Sequence, residues 1–177
     1  MIPKNVYQLM AHYHLWMDEK LYSLCEQIPD DQRKADHQAF FHSIHGTFNH
    51  LLLGNLRWMG RFLEKTLTTA EIGETICESF ADLKREHLQV DQMIVDWAEE
   101  LTDVWLSEEM IYDSGVYKKR WKLPRWIFVT HMFNHQTHHR GQLTTLLEQM
   151  GHDPGITDIV CLPQLEAGIL PEPPLLK

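Results

Sequence analysis

The chain has 177 residues, 44% of them hydrophobic, with a formal net charge of −9 and a pI near 5.7. That length suits one domain, residues 1–177, with a real hydrophobic core. The acidic balance argues against a surface built to neutralise nucleic-acid phosphates, so no nucleic-acid partner is expected.

The first predicted element is a long amphipathic helix from about Lys4 to Gln27. Val6, Leu9, Tyr13, Trp16 and Leu24, with Met10, Met17 and Leu21, recur at steps of three and four. Pro3 suits a first helical turn, and Pro29-Asp30-Asp31 ends the helix. His14 and Asp18 lie one turn apart and read as a surface pair, the alternative being that this face approaches a central site. A second helix is expected from about Phe40 to Glu64, apolar over a wide arc like a buried bundle helix. His50 sits in its middle, with Gly46 and Gly54 one turn to either side on the same face. Glycine inside a helix costs up to ~1 kcal/mol against alanine. The pair therefore implies a need for space, either for an ion and a small ligand or for close helix approach.

Residues 65–75 read as a connection, followed by a third helix over about Ser79 to Leu101. Its stripe is Phe80, Leu83, His87, Val90, Ile94 and Trp97, which makes His87 a core or edge histidine. Asp82, Lys84, Arg85, Glu86, Asp91, Asp96, Glu99 and Glu100 are assigned to a solvated face. Met110-Ile111-Tyr112 and Val116-Tyr117 around Asp113-Ser114-Gly115 predict a small β-hairpin. Pro124 opens a fourth helix that runs to about Met150, where Gly151 is a natural stop. The tail contains five prolines and has room for one short helix, around 156–161 or 164–169. The expected fold is all-α: a four-helix bundle with a small β-hairpin between helices 3 and 4 and an irregular C-terminal tail.

Cys25, Cys77 and Cys161 are scattered and never in CxxC spacing, which fits a reducing cytoplasm and no thiolate zinc site. No run of about 18 apolar residues and no signal-peptide pattern occurs, so no membrane span is expected.

Of twelve histidines, ten fall in three groups: His12 and His14; His37, His42, His45 and His50; and His131, His135, His138 and His139. On a helix, His131, His135 and His139 share one face at i, i+4 and i+8. Two imidazoles one turn apart can grip one metal ion. The competing interpretation is a solvated face, or core histidines bonded to carbonyls. His50 with a pair from the fourth helix would give three nitrogen ligands and an open position, the pattern of a catalytic zinc site. Nickel, copper or iron also suit imidazole. Spacing accepts His131 with His135 as readily as His135 with His139. The Glu-x-x-His of di-iron bundles and the His-Glu-x-x-His of zinc proteases are absent from the chain, as is His-x-x-x-Glu.

Three stretches carry a family resemblance: Tyr13 to Tyr22, Phe40 to Leu52, and Phe133 to Gln142 followed by Gly151 to Asp158. The chain resembles the DinB family of damage-inducible proteins, part of a superfamily of metal-binding bundles that includes thiol-dependent S-transferases. The resemblance implies a four-helix bundle, often a homodimer, and places the metal ligands at His50, His135 and His139. Two positions depart from the family pattern: His14 stands where asparagine is common and Asn55 where aspartate is. Neither is a ligand position. His131 then becomes a neighbour one turn from the ligands or a buried histidine bonded to the backbone. His138 faces a partner helix or solvent, and His45 is structural.

The expected cofactor is a divalent ion, Zn2+ or Ni2+. The expected activity is that of a metal-dependent transferase or hydrolase acting on a small-molecule thiol or electrophile. No general base is identified beyond His131 and His14 as candidates. The alternative is a non-catalytic metal-binding module for stress response or interaction. A DNA-binding repair role, which the family's name suggests, is disfavoured by the charge.

Overall fold

The computed structural model describes residues 3–115 and 117–168. Four long helices form the bundle: α1 (Lys4–Cys25), α3 (Ile44–Phe62), α4 (Phe80–Glu99) and α6 (Arg125–Gln149). Short helices α2 (Asp30–Lys34) and α5 (Asp103–Ser107) follow α1 and α4. Strands β1 (Glu109–Ser114) and β2 (Lys119–Pro124) make an antiparallel hairpin between α5 and α6. A 3-10 turn (Ile159–Cys161) and α7 (Pro163–Glu166) punctuate the tail. In cross-section α1 touches α4 and α6, and α3 touches the same two, so the four helices close a ring around one core.

That core is strongly aromatic. Tyr22 stacks on Phe48 with centroids 4.1 Å apart, and Phe62 lies nearly parallel to Trp97 at 5.2 Å. No described helix is long and apolar enough to cross a membrane.

Several boundaries differ from expectation for local reasons. Ser43, in an extended conformation, accepts a hydrogen bond from Gly46 N and starts α3 there, not at Phe40. His42 just before it has a positive φ of 64°, which breaks any continuation of the helix backward. Residues 39–42 instead fold over the first turn of α3, so close that a Cβ on Gly46 would meet Phe41 O at 2.2 Å. Gly46 thus serves a close backbone approach. In the hairpin, Glu109 pairs with Pro124 and Ser114 with Lys119. The second strand therefore begins at Lys119, later than the Val116-Tyr117 pairing expected; Val116 lies outside the described residues. The tail forms a short helix in both of the places where one was expected in either, a 3-10 helix at Ile159–Cys161 and α7 at Pro163–Glu166; residue 169 lies outside the described residues.

Candidate metal centre

Facing turns of α3 and α6 bring three imidazoles together. His50 Nε2 lies 3.0 Å from His135 Nε2, and His135 Nε2 lies 3.2 Å from His139 Nε2. Ligand atoms of all three fall within 4.8 Å of one another. Three tetrahedral nitrogens about 2.0–2.1 Å from a zinc ion would stand roughly 3.3 Å apart, so little movement would be needed.

The α3 side allows this approach because residue 54 is glycine. A Cβ there would come within 3.3 Å of His135 Cε1. His131, one turn earlier on α6, lies instead against Trp58, with ring centroids 5.2 Å apart. The stagger of the two helices therefore joins His135 and His139 to His50 and leaves His131 exposed at the edge.

Hydrogen bonding prepares one ring directly. His139 Nδ1 lies 2.8 Å from Gln142 Oε1, an oxygen that only accepts. The Nδ1 proton is therefore donated to Gln142, and the Nε2 lone pair is free to face the other two rings. His50 Nδ1 and His135 Nδ1 are buried without a partner. Phe41 stacks on the His50 ring at 3.8 Å and meets His139 edge-on at 5.2 Å, covering one side of the cluster. Three neutral rings that aim ring nitrogens at one point cannot all donate to each other. A cation accepting their lone pairs resolves the conflict, and the donor set fits a divalent ion.

Replacing Gln142 with alanine is expected to weaken zinc or nickel binding by about 10- to 100-fold, the usual effect of losing an outer hydrogen bond to a ligand. A chelator-competition titration measures it.

Burial, with His139 adding to it, lowers the His50 pKa to about 4. Burial and the neighbouring histidines lower His135 to about 3, and His139 is lowered too, chiefly by burial. All three rings are thus neutral and ready to bind at pH 7. Their folded pKa values lie below the unfolded value near 6.5. The stability they contribute is present above about pH 6.5 and is lost as pH falls through about 4 for His50 and about 3 for His135. The metal-free protein should therefore melt at progressively lower temperature across that window. A variant with both His50→Gln and His135→Gln should show a shallower decline.

A family model for the DinB family matches residues 1–173. The chain belongs to the DinB family. It is similar to Protein DinB of Bacillus subtilis (strain 168), with 25% identity over 168 residues, spanning 84% of this chain and 88% of that protein.

The remaining histidines of this DinB-family chain have other surroundings. His45 Nε2 lies 2.8 Å from Cys77 O, and Asn49 Oδ1 accepts from Ile76 N and Cys77 N. Together they pin the 76–77 segment to α3, so His45 is structural as expected. His138 is exposed beside Gln142. His14 is fully buried against the edge of Phe133, with ring centroids 4.9 Å apart, which corrects the surface assignment of His14 and Asp18.

A second polar group in the core was not anticipated. Asp18, His87, Asp91 and Arg140 meet inside the bundle, each at most 3% exposed. His87 Nε2 is 3.8 Å from Asp18 Oδ2 and 3.9 Å from Asp91 Oδ1, and Arg140 Nη1 is 3.6 Å from Asp18 Oδ2. Tyr22 OH lies 2.9 Å from His87 Nδ1. Asn55 Nδ2 donates to Asp91 Oδ1 at 3.1 Å, and Gln136 Nε2 donates to Asn55 Oδ1 and Leu51 O. Asp91 therefore belongs to the interior, not to the solvated face of α4. Its carboxyl is pushed well above the ordinary range by burial first and by Asp18 second. The signal lay in spacing, since Asp91 falls one turn after His87 on the apolar stripe. The two carboxylates and His87 also offer ligand atoms within 4.8 Å of one another, but Arg140 already supplies a cation beside Asp18.

Proposed function

We propose that His50, His135 and His139 hold one divalent metal ion, zinc or nickel, and that the chain is a metal-dependent transferase or hydrolase acting on a small-molecule thiol or electrophile. The observation that carries this reading is the convergence of three neutral imidazoles at nitrogen separations of 3.0 and 3.2 Å. Membership of the DinB family supports it. Three protein ligands leave a position open. A divalent ion with an open position lowers the pKa of a bound thiol or water.

The chain's own groups have separable tasks. Gln142 fixes the His139 tautomer, Phe41 shields the His50 ring from water, and Gly54 leaves room for His135. His131, with its ring centroid 6.0 Å from that of His135, is the candidate proton acceptor. The reading extends to a single domain over residues 1–177, on length, in the cytoplasm, on the scattered cysteines, and working as a homodimer, on family resemblance.

One observation favours a second reading, a non-catalytic metal-binding stress-response module. Phe41 stacks on the His50 ring at 3.8 Å and covers one side of the cluster.

The test is to purify the chain without an affinity tag, load it with zinc or nickel, and assay low-molecular-weight thiols with aromatic electrophiles. Metal-dependent turnover that disappears in His50→Ala is expected. Turnover unchanged by that substitution contradicts the catalytic reading.

A further inference from the structure

At its C-terminal end α3 borders an open cavity of about 410 Å³ whose far wall is formed by residues 64–68. The cavity exists because the chain folds back against the helix at Gly60, where a Cβ would meet Lys65 O at 2.7 Å. Arg57, Arg61 and Lys65 line it, and Glu64 is the one acidic side chain on its wall. This is a concentration of positive charge in a chain whose net charge is −9.

The two arginines are held in an unfavourable arrangement. They stand one turn apart on α3, where like charges repel. Arg61 lies over the neighbouring rings of Trp58 and Tyr112, 5.0 Å from each centroid, and its Nη1 donates to Arg57 O at 2.8 Å. Burial pushes its guanidinium below its ordinary pKa, partly offset by Tyr112 and reinforced by Arg57. Arg57 Nη1 is buried without a hydrogen-bond partner. Among the described residues, the only carboxylate within 4.0 Å of either arginine is the exposed Glu71, 3.7 Å from Arg57 Nη2. Arg61 has no carboxylate within that distance and Arg57 has only this exposed one, so an anion between the two guanidinium groups would relieve their repulsion.

We propose that this cavity binds the oxyanion end, carboxylate or phosphate, of a small molecule, with Arg57, Arg61 and Lys65 as its charged contacts. Guanidinium forks match the planar oxygens of either group. Thr68, whose Oγ1 accepts from Ala70 N at 3.1 Å, keeps its hydroxyl proton to donate into the same space. The C-terminal end of α3 opposes an anion with about half a charge. Three full positive charges outweigh that, even with Glu64 counted against them. The site lies along the same face as His50: Arg57 follows seven residues later, about 10 Å along the axis. The proposal does not depend on metal binding.

Calorimetric titration of the full, metal-free chain with sodium phosphate and, separately, with succinate tests it. At least one probe should bind saturably and weaken as salt is added. Arg57→Gln and Arg61→Gln should each weaken that binding tenfold or more. The His50→Ala variant should bind the probe as the unaltered chain does, which separates this site from the metal centre. Preference for phosphate assigns a phosphate-bearing ligand; preference for succinate assigns a carboxylate. Either the absence of saturable binding by both probes, or unchanged affinity in a folded Arg57→Gln, Arg61→Gln double variant, overturns the proposal.

Discussion

Replacing His135 with alanine is expected to weaken zinc or nickel binding by more than about 100-fold, beyond the 10- to 100-fold effect of an outer-shell change. His135 is the central ring, with its Nε2 3.0 Å from that of His50 and 3.2 Å from that of His139. Without it, His50 and His139 would have to hold the ion as a two-ligand set. His131→Ala serves as the contrast, since spacing alone makes His131 an equal partner for His135. His131 lies against Trp58 in the fold, so its loss should change affinity by no more than a few-fold. Chelator competition on both variants, with circular dichroism as a check that helix content is kept, decides between them. Strong loss in His131→Ala with little in His139→Ala would assign the other pair.

Arg140→Met is expected to destabilise the fold by about 3–5 kcal/mol, the usual effect of breaking a buried ion pair from one side. Arg140 is 3% exposed and is the cation beside Asp18 in a core that also holds Asp91. Removing it leaves two buried carboxyls without a fixed positive charge. Asp91→Asn should change stability by only about 1 kcal/mol, because Asp91 already favours its neutral form. The sign with pH follows from its raised pKa. Its contribution to stability is full below the unfolded carboxyl pKa of about 3.9 and is lost as pH rises through the folded value. Asp91→Asn should therefore gain on the unaltered chain as pH increases. Urea unfolding of both variants across pH measures the two effects. A small loss for Arg140→Met would mean that the core does not depend on that charge.

The long elements were legible because each buries a wide apolar stripe. Leu51, Leu52, Met59 and Phe62 read at helical spacing and are buried on α3. The five-residue helices α2 and α5 are too short for any period to register. Phe40 and Phe41 drew the expected start of α3 too early because composition is blind to purpose. Phe40 is 79% exposed, whereas Phe41 is a stacking partner for His50.

The candidate site was legible in part. Histidines at i and i+4 share a helix face in any context, and the glycines around His50 announced a need for room. The choice among His131, His135 and His139 depends on the axial stagger of α6 against α3, which periodicity within one helix does not contain. The buried Asp18, Asp91 and Arg140 were hidden for a related reason. A charged residue on an apolar stripe looks like an error at the stripe's edge until its opposite charge arrives from another helix. Asp18 comes from α1, Asp91 from α4 and Arg140 from α6.

X-ray absorption at the zinc edge, on tag-free protein loaded with one equivalent, counts the imidazoles around the ion. Three imidazole nitrogens at about 2.0–2.1 Å with one further light atom are predicted, and His50→Ala should remove one imidazole from that shell. A shell dominated by carboxylate oxygens, or one unchanged by His50→Ala, would contradict the three-histidine centre.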